Sequence, residues 1–416
     1  MYQKKLVLFP GYYPDFRCIG TACSDNCCHG WQIEIDKAHY LRYKSEKNAD
    51  FMPLCARNVH RIKKDSSPGH YARLSLDARG RCGFQDDDGG CRIIRLLGED
   101  ALSTTCAVYP RRKTEFVPGQ WELSLSMSCE EAVRIGVLAP PEITFQSVEQ
   151  TFAETDPVYA MEAVGIGPKG RVAVPPSWGS ALRTVCIRLM QTRELRIPER
   201  IMAVLLLLRR LDRLAAAGQE AQIPQEIIRF LQTVERGSMT DFFRQLDYSP
   251  EAHLAALQIP LGHLTAGRQG TESRRFLQRL QPFFDPDPAG GFRAGRQAVQ
   301  MLLQYIVQAA DPLLAEHSVW VENYFVNYMF SSLFPFFYRQ EGLSFEDHGL
   351  LLAQQYGLLR CLLSTAEPEE SHEERFLRAI VHIARLTQHG DLAADTRKLS
   401  QALGIRGTAH LSYLLR

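Results

Sequence analysis

The chain has 416 residues, of which 45% are hydrophobic and 23% are charged. This length allows about two or three domains with a sizeable core, and this composition excludes wholesale disorder. The formal net charge is +1, which excludes a global electrostatic field that would recruit nucleic acid or an anionic membrane. We therefore expect a folded protein with neither a nucleic-acid partner nor a membrane partner.

The N-terminus, Met-Tyr-Gln-Lys-Lys-Leu-Val-Leu-Phe-Pro, contains a short apolar run that ends at Pro10. This run is too short for a signal peptide. The longest apolar runs, residues 201–208 and 324–337, either stop at an arginine pair or contain Asn327, serines and Pro335. Neither reaches the ~20 residues of a membrane span. We expect a cytoplasmic protein.

The N-terminal third of the chain is rich in loops. Alternating apolar and polar residues predict strands over 31–35 and 121–126, and residues 37–47 are predicted to form a helix. The run Asp86-Asp-Asp-Gly-Gly90 predicts a solvated turn. A segment of this kind is expected to have a small hydrophobic core and to need further stabilisation, such as a bound metal.

The remainder of the chain has a helical pattern. Residues 139–178 contain two Pro-Pro pairs and a Gly-Ile-Gly-Pro turn, which predict a linker or irregular connection. Apolar residues at three- and four-residue spacing then predict helices over 181–217 with a kink at Pro198, 224–237, 297–310, 318–338, 345–363, 372–386 and 394–403. Residues 283–291 are predicted to form a loop. The predicted fold class is mainly α, with a cysteine-rich metal domain and a few short strands over 1–138 and a larger helical domain over 179–416.

Two side-chain patterns in the helical half also predict structure. Eight arginines between residues 183 and 213 are offset by Glu194, Glu199 and Asp212, and we interpret them as a solvated helix face rather than a nucleic-acid surface. The aromatic residues between 324 and 336 are predicted to be core rather than a groove for a partner helix.

Nine of the eleven cysteines lie in the first 129 residues. In a reducing cytosol this clustering favours a metal site over disulfides. The first cysteine group is Cys18-x4-Cys23-x3-Cys27-Cys28, and the second cysteine group is Cys82-x8-Cys91-x14-Cys106 with Cys129. These eight cysteines are the candidate metal ligands: Cys18, Cys23, Cys27, Cys28, Cys82, Cys91, Cys106 and Cys129. The other three, Cys55, Cys186 and Cys361, are expected to be small buried hydrophobic residues.

The spacing leaves the kind of metal open. Structural zinc usually takes two close cysteine pairs, but the two pairs in the first group share Cys23 and the second group contains no close pair. An iron–sulfur cluster takes four thiolates with looser spacing. The adjacent Cys27 and Cys28 suit a larger cluster, or one of them binds while the other packs.

Several stretches resemble one known family. The stretch from Leu8-Phe-Pro-Gly-Tyr-Tyr-Pro through the first cysteine group to His29-Gly-Trp31 is similar to the opening of the flagellin lysine-N-methylases. The resemblance continues through Gly80-Arg-Cys82-Gly-Phe, Gly90-Cys91 and Thr105-Cys106-Ala-Val-Tyr109-Pro-Arg111, and again through residues 322–336. It implies an S-adenosylmethionine-dependent methyltransferase that modifies the ε-amine of surface lysines of flagellin. It also implies a cysteine-ligated cluster, expected to be of the four-iron four-sulfur type, with ligands drawn from the eight cysteines.

The catalytic candidates border the cysteine motifs. Tyr109 could assist removal of a proton from the substrate amine, Arg111 could pair with the carboxylate of the cofactor, and Asp25 could hydrogen-bond the ligand shell. Each has a structural alternative: a core tyrosine, a structural ion pair and a turn residue. No glycine-rich loop follows a clear strand, so the common nucleotide-type cofactor fold is not visible. The alternative function is a non-enzymatic zinc- or iron–sulfur-binding interaction or sensor protein.

Overall fold

The computed structural model describes residues 2–24, 26–154, 156–161, 164–165, 177–237, 275, 278, 285–286, 292–293, 296–336, 343–365, 369–389 and 415. The strands are β1 (Tyr2–Pro10), β2 (Glu34–Ile35), β3 (Val59–Arg61), β4 (Ala72–Leu74), β5 (Arg111–Glu115), β6 (Gln120–Leu125), β7 (Phe145–Ala153), β8 (Val164–Gly165), β9 (Asp285–Pro286) and β10 (Phe292–Arg293). The helices are α1 (Lys37–Ser45), α2 (Phe51–Asn58), α3 (Arg92–Leu97), α4 (Thr104–Val108), α5 (Glu130–Val133), α6 (Pro157–Ala160), α7 (Gly179–Met190), α8 (Ile197–Ala216), α9 (Ile223–Glu235), α10 (Arg296–Glu316), α11 (Ser318–Ser331), α12 (Phe345–Ser364) and α13 (His372–His389). The predicted mainly α class is confirmed.

The chain divides into two compact units. The first unit comprises Met1–Glu115, Gly119–Ile135 and Phe145–Val164, and the second comprises Phe116–Pro118, Gly136–Thr144 and Gly165–Arg416. The chain therefore passes between the units several times, whereas the sequence pattern predicted single boundaries at residues 138 and 178. All eight candidate cysteine ligands belong to the first unit.

A five-stranded sheet with the order β7-β1-β6-β5-β8 is the largest sheet of the described residues, and all but the end of β8 lies in the first unit. β1 pairs antiparallel with β7 from Tyr2↔Ala153 to Pro10↔Phe145, and it pairs parallel with β6. β6 corresponds to the strand predicted over 121–126. β7 lies inside the segment predicted to be a linker. Its side chains are mostly exposed and polar, so pairing with β1, rather than an apolar pattern, makes it a strand.

The cysteine-bearing loops of the first unit rest on a core of their own. A three-stranded sheet, β2-β4-β3, and the helices α1 and α2 surround buried Tyr43, Phe51 and Phe84. Asp36 caps α1 by accepting a hydrogen bond from the His39 amide at 3.0 Å, as an N-terminal carboxylate does for many helices. This core is larger than the loop-rich composition led us to expect.

Most of the predicted helices are confirmed in the second unit, with two corrections. The helix predicted over 318–338 ends at Ser331. Residues 181–217 do not form one helix with a kink at Pro198: α7 and α8 are separate helices, and Pro198 lies in the first turn of α8. Proline is tolerated there because the amide it lacks would have no partner within the helix. The predicted helix over 394–403 lies outside the described residues, and of the predicted loop 283–291 only Asp285–Pro286 is described, where β9 pairs with β10. Among the described residues, no helix is both long enough and apolar enough to cross a bilayer.

α11 is buried on all sides in the described structure, which confirms that its aromatic residues are core. Its polar residues make specific contacts. Glu322 accepts hydrogen bonds from Arg200 at 2.7 Å and from Arg193 at 2.9 Å. The Asn323 and Asn327 side-chain amides donate to the carbonyls of Val137 and Gly136 at 3.0 and 2.8 Å. Buried Arg200 shows that the arginine-rich stretch is not simply a solvated face.

The Glu322–Arg200 pair generates a stability prediction. Glu322→Gln keeps the shape of the side chain but leaves the guanidinium of Arg200 buried without its counter-charge, since Arg200 and Glu322 are 4% and 1% exposed. We expect the free energy of unfolding to fall by about 3 to 5 kcal/mol, measured by urea denaturation followed by circular dichroism. The control Arg193→Gln removes the more exposed partner, and we expect a loss of about 1 kcal/mol or less. Equal losses in the two variants would contradict the account.

Candidate metal centre

Backbone pairing joins the two cysteine groups. The Cys82 amide donates to the Cys28 carbonyl at 2.8 Å, and the Gly30 amide donates to the Gly80 carbonyl at 2.9 Å. Gly80 adopts a φ of +81°, a left-handed conformation that glycine reaches without steric cost. The residues after the first cysteine group therefore run antiparallel to those that lead into Cys82, and residues far apart in sequence meet in space.

A tight hairpin brings Cys91 back towards Cys82. Gln85 and Cys91 pair in an isolated antiparallel bridge, and the Asp86 amide donates to the Gly90 carbonyl at 2.8 Å. The predicted turn at residues 86–90 is present, and Asp86 forms an ion pair with Arg95 at 2.7 Å. The hairpin is also tied to the first group, since the Asn26 side-chain oxygen accepts from the Gln85 side chain at 2.9 Å and from the Cys28 amide at 3.1 Å.

Four sulfurs from the two groups lie within one another's electrostatic field. Burial, with smaller contributions from the charges of Cys106, Cys91 and Cys27, raises the pKa of the Cys82 thiol to about 12. Burial likewise raises the pKa of Cys106 to about 12, with added contributions from Cys27 and Cys91. The pKa of Cys91 is raised by burial and by Cys27. A bound cation would stabilise these thiolates, so the donor set fits a metal that releases protons as it binds.

Cys129 interacts electrostatically with Cys27 and with Cys18. Burial raises the pKa of Cys129 to about 11, and the charges of Cys27 and Cys18 contribute. Cys27 is thus the residue common to all of these interactions. Cys23 instead directs its thiol to the carboxylate of Glu130 at 3.4 Å.

Backbone amides point at several of the sulfurs. The Phe84 amide bonds the sulfur of Cys82, and the amides of Ile93 and Ile94, in the first turn of α3, bond that of Cys91. The sulfur of Cys129 receives the amides of Glu131 and Ala132 in the same way. Amide hydrogen bonds to sulfur stabilise thiolates and tune cysteine-ligated metal centres. These amides would favour the thiolate form of Cys82, Cys91 and Cys129, which binding of a metal or cluster requires.

Gly83 is required by a close approach of the chain. A Cβ atom at this position would lie 2.2 Å from the side-chain oxygen of buried Asn58. The Asn58 amide donates to the Gly83 carbonyl at 3.0 Å. The glycine in the motif Gly80-Arg-Cys82-Gly-Phe thus lets α2 hold the loop that carries Cys82.

Glu130 is a site residue that sequence reasoning missed. It is 2% exposed, and it accepts hydrogen bonds from the Ser24 amide at 2.8 Å, the Ser24 hydroxyl at 2.9 Å and Arg134 at 2.8 Å. Burial raises its pKa, but the hydrogen bonds from Arg134, Ser24 and Cys23 outweigh burial and hold the pKa below its ordinary value. Its position directly after Cys129 was the available signal. Glu130 anchors the first cysteine group to the start of α5.

The described contacts do not bring together the two catalytic candidates that the structure describes, Tyr109 and Arg111. The Tyr109 hydroxyl lies 3.0 Å from that of Ser128, beside Cys129, and its ring lies 5.8 Å from that of Trp31. Arg111 instead stacks over Phe16 at 5.0 Å and hydrogen-bonds Tyr13. Asp25 lies outside the described residues. Tyr109 therefore borders the cysteine set, whereas the described neighbours of Arg111 lie near the end of β1.

The remaining cysteines agree with expectation. Cys55, Cys186 and Cys361 are buried, which confirms their interpretation as core residues. All eleven cysteines lie in the described part of the chain, and none of them forms a disulfide there.

The anchoring role of Glu130 predicts a change in local stability. Glu130→Gln replaces a carboxylate that accepts two hydrogen bonds from Ser24 with an amide that can accept only part of this set. We expect the Ser24 amide to exchange with deuterium at least ~10-fold faster, because a hydrogen bond to a charged group contributes about 1.5–3 kcal/mol. Glu131→Gln is the matched control, and its exchange rates should equal those of the wild type. Unchanged exchange in Glu130→Gln would contradict the anchoring role.

Comparison with known proteins places the chain in a family. The model of the FliB lysine N-methylase C-terminal domain matches residues 183–415. The flagellar biosynthetic protein FliU of Salmonella muenchen is 34% identical over 145 residues, which are 35% of this chain and 83% of that protein. The lysine-N-methylase of Salmonella typhimurium is 33% identical over 155 residues, 36% of this chain and 37% of that protein. No solved structure matches. The chain belongs to the FliB lysine N-methylase family.

Proposed function

We propose that this chain transfers a methyl group from S-adenosylmethionine to the ε-amine of lysines on flagellin. The observation that carries the proposal is the lysine N-methylase family model, which covers more than half of the chain. The flagellar name of one relative supports flagellin as the protein substrate. We place the reaction in the cytoplasm, since a reducing compartment keeps the clustered thiols available for metal.

We further propose that the cysteine set binds a four-iron four-sulfur cluster through Cys27, Cys82, Cys91 and Cys106. The mutual electrostatic influence of these four sulfurs supports this choice over the other four candidates. Cys18, Cys23, Cys28 and Cys129 would then hold the loops around the cluster. Such a cluster would join the two cysteine groups and add a redox-active centre. Zinc bound by the same residues is the alternative.

The reaction requires a neutral amine. The lone pair of the lysine nitrogen forms a bond to the methyl carbon while the carbon–sulfur bond of the sulfonium breaks, and the nitrogen loses a proton to a base or to water. An unperturbed lysine has a pKa near ~10.4, so the site has to remove its proton or its hydration. We propose that the Tyr109 oxygen positions the amine by hydrogen bonding or, as a phenolate, accepts a proton from the lysine ammonium, and that Asp25 supports the ligand shell. Arg111 would bind the carboxylate of the cofactor, in exchange for its contacts with Tyr13 and Phe16.

The direct test is methyl transfer by anaerobically purified protein. Wild-type protein is mixed with flagellin and S-adenosylmethionine carrying a labelled methyl group, and labelled lysines are located by peptide mass spectrometry. We expect label on flagellin lysines. Cys27→Ser and Cys106→Ser should lose metal and retain less than ~10% of the activity, because even groups around a metal's ligands contribute 10–100-fold to affinity or activity. Cys55→Ala and Cys186→Ala, which alter buried core thiols, should keep both metal and activity.

Two outcomes would contradict the proposal. Metal-loaded wild-type protein that neither binds S-adenosylmethionine nor labels flagellin would favour the non-enzymatic metal-binding interaction or sensor protein. If the cysteine variants kept full activity without metal, the metal centre would not be needed for methyl transfer. The methyltransferase proposal would still stand.

The role of Tyr109 has its own prediction. Tyr109→Phe preserves the ring beside Trp31 and removes the hydroxyl. We expect the metal content to stay at the wild-type value and kcat to fall by about 10²–10⁴-fold, the contribution of a positioned acid–base group. Because Ser128 holds the Tyr109 hydroxyl, Ser128→Ala is expected to give a smaller loss. Wild-type kcat in Tyr109→Phe would assign the residue a packing role.

A further inference from the structure

A group of metal-ligand side chains lies in the second unit, away from every cysteine motif in the sequence. Glu316 ends α10, His317 forms the corner before α11, and His372 begins α13. The His317 Nε2 atom lies 2.7 Å from the His372 Nδ1 atom. The Glu316 Oε1 atom lies 3.7 Å from the former and 3.9 Å from the latter. Three donor atoms thus face one point from two segments of the chain.

The dimensions of this triangle suit one metal ion. Two ligand atoms ~2.0–2.1 Å from a tetrahedral zinc ion lie ~3.3 Å apart. The three observed donor–donor distances lie on both sides of this value. Small side-chain rotations that move the donor atoms by a fraction of an ångström would make the three distances equal. Two imidazoles and one carboxylate form a ligand set typical of zinc and neighbouring transition ions. The side chain of His372 is 41% exposed and that of Glu316 is 61% exposed, which leaves the fourth position open to water.

Packing holds the histidines in place before any ion binds. The ring of His317 stacks on that of Trp320, with centroids 3.9 Å apart, and meets the edge of Phe376 at 5.5 Å. His372 follows Ser371, which accepts from the Glu374 amide at 3.3 Å while its own amide donates to the Glu374 carboxylate at 2.9 Å. This reciprocal cap fixes the first turn of α13. Ligands held by such contacts lose little freedom when a metal binds.

The contact between the two imidazoles also predicts how a metal would enter. At 2.7 Å one facing nitrogen donates its proton to the other. A metal requires the lone pair of both nitrogens, so the donating ring has to carry its proton on its other nitrogen instead. This is a change of tautomer in a neutral ring and adds no buried charge.

We propose that Glu316, His317 and His372 bind a divalent transition-metal ion of the zinc class. The ion would join the α10–α11 corner to the start of α13, 55 residues apart in sequence. This metal site is separate from the cysteine set, and it does not depend on the proposed methyl transfer.

Equilibrium dialysis of the full chain against Zn²⁺ tests the proposal. Bound zinc is counted in the wild type and in the variants His372→Gln, His317→Gln and Glu316→Gln, all prepared with the cysteine set in the same state. The wild type should bind one more zinc ion per chain than His372→Gln and His317→Gln. Glu316→Gln should lower the affinity for that zinc ion at least ~10-fold, since even residues that only surround a metal's ligands contribute 10–100-fold to metal affinity. His60→Gln, which alters an exposed histidine bonded to Ser75, should match the wild type.

The variants can be separated from misfolding. His372 and Glu316 are partly exposed, so these two variants are expected to keep the wild-type circular dichroism and thermal midpoint in EDTA. The His317 ring packs on Trp320, so His317→Gln could lose structure. In that case His372→Gln and Glu316→Gln still test whether the site binds zinc. The proposal would be overturned if His372→Gln bound as many zinc ions as the wild type, with the same affinity. It would also be overturned if all the zinc bound by the wild type were bound by its cysteines.

Discussion

The cysteine site depends on a short antiparallel contact between segments that are some fifty residues apart in sequence. The Cys82–Cys28 and Gly30–Gly80 backbone hydrogen bonds place the two cysteine groups side by side. Once these bonds form, the sulfurs of Cys27, Cys82, Cys91 and Cys106, which are buried or partly buried, are held within one another's electrostatic field. Thiolates this close together repel one another. A bound metal would neutralise their charges and hold the two cysteine groups together through its bonds to sulfur.

Polar anchors around the sulfurs complete this arrangement. Glu130 holds the loop at Ser24, Asn26 links the first group to the hairpin of the second, and Asn58 holds Gly83. Glu130 and Asn26 accept hydrogen bonds from backbone and side-chain donors, and Asn58 donates one to a backbone carbonyl, so polar groups of a loop-rich region are satisfied within the protein. The loops are therefore ordered by hydrogen bonds and by a hydrophobic core, and a metal would add to this order rather than create it alone.

The second unit is also built around buried polar contacts. Arg360 of α12 forms a two-point pair with Asp311 of α10, with separations of 2.9 Å, and Asp212 accepts the first amides of α12 at 3.1 and 2.6 Å. Together with the Glu322 pair, these contacts specify which helices pack together, because a buried charge tolerates few alternative partners. The family model matches residues 183–415, which are most of this unit.

The features that could be predicted from sequence are those with a strong local signal. Cysteine spacing identified the candidate ligands, and the 3.6-residue period identified α9, α12 and α13 within a few residues of their ends. Long-range pairing could not be predicted: β7 is polar and becomes a strand because β1 offers an open edge. Glu130 and Arg200 resemble surface residues in sequence, and only the fold shows that each is buried against specific partners. The sequence predicted a kink at Pro198, whereas the helix breaks earlier, between α7 and α8. A proline fits the first turn of a helix as well as it interrupts a helix, so the proline did not locate the break.

Anaerobic purification followed by an absorption spectrum and by iron, sulfide and zinc analysis of one sample tests the central claim, that the two cysteine groups form one metal centre. The account predicts a brown protein with about four irons and four sulfides per chain. It also predicts that Cys82→Ser and Cys91→Ser lose this colour while Cys361→Ala retains it. A colourless protein with zinc bound by the same cysteines would replace the cluster with a structural ion. A chain that holds neither iron nor zinc at these cysteines would contradict the account.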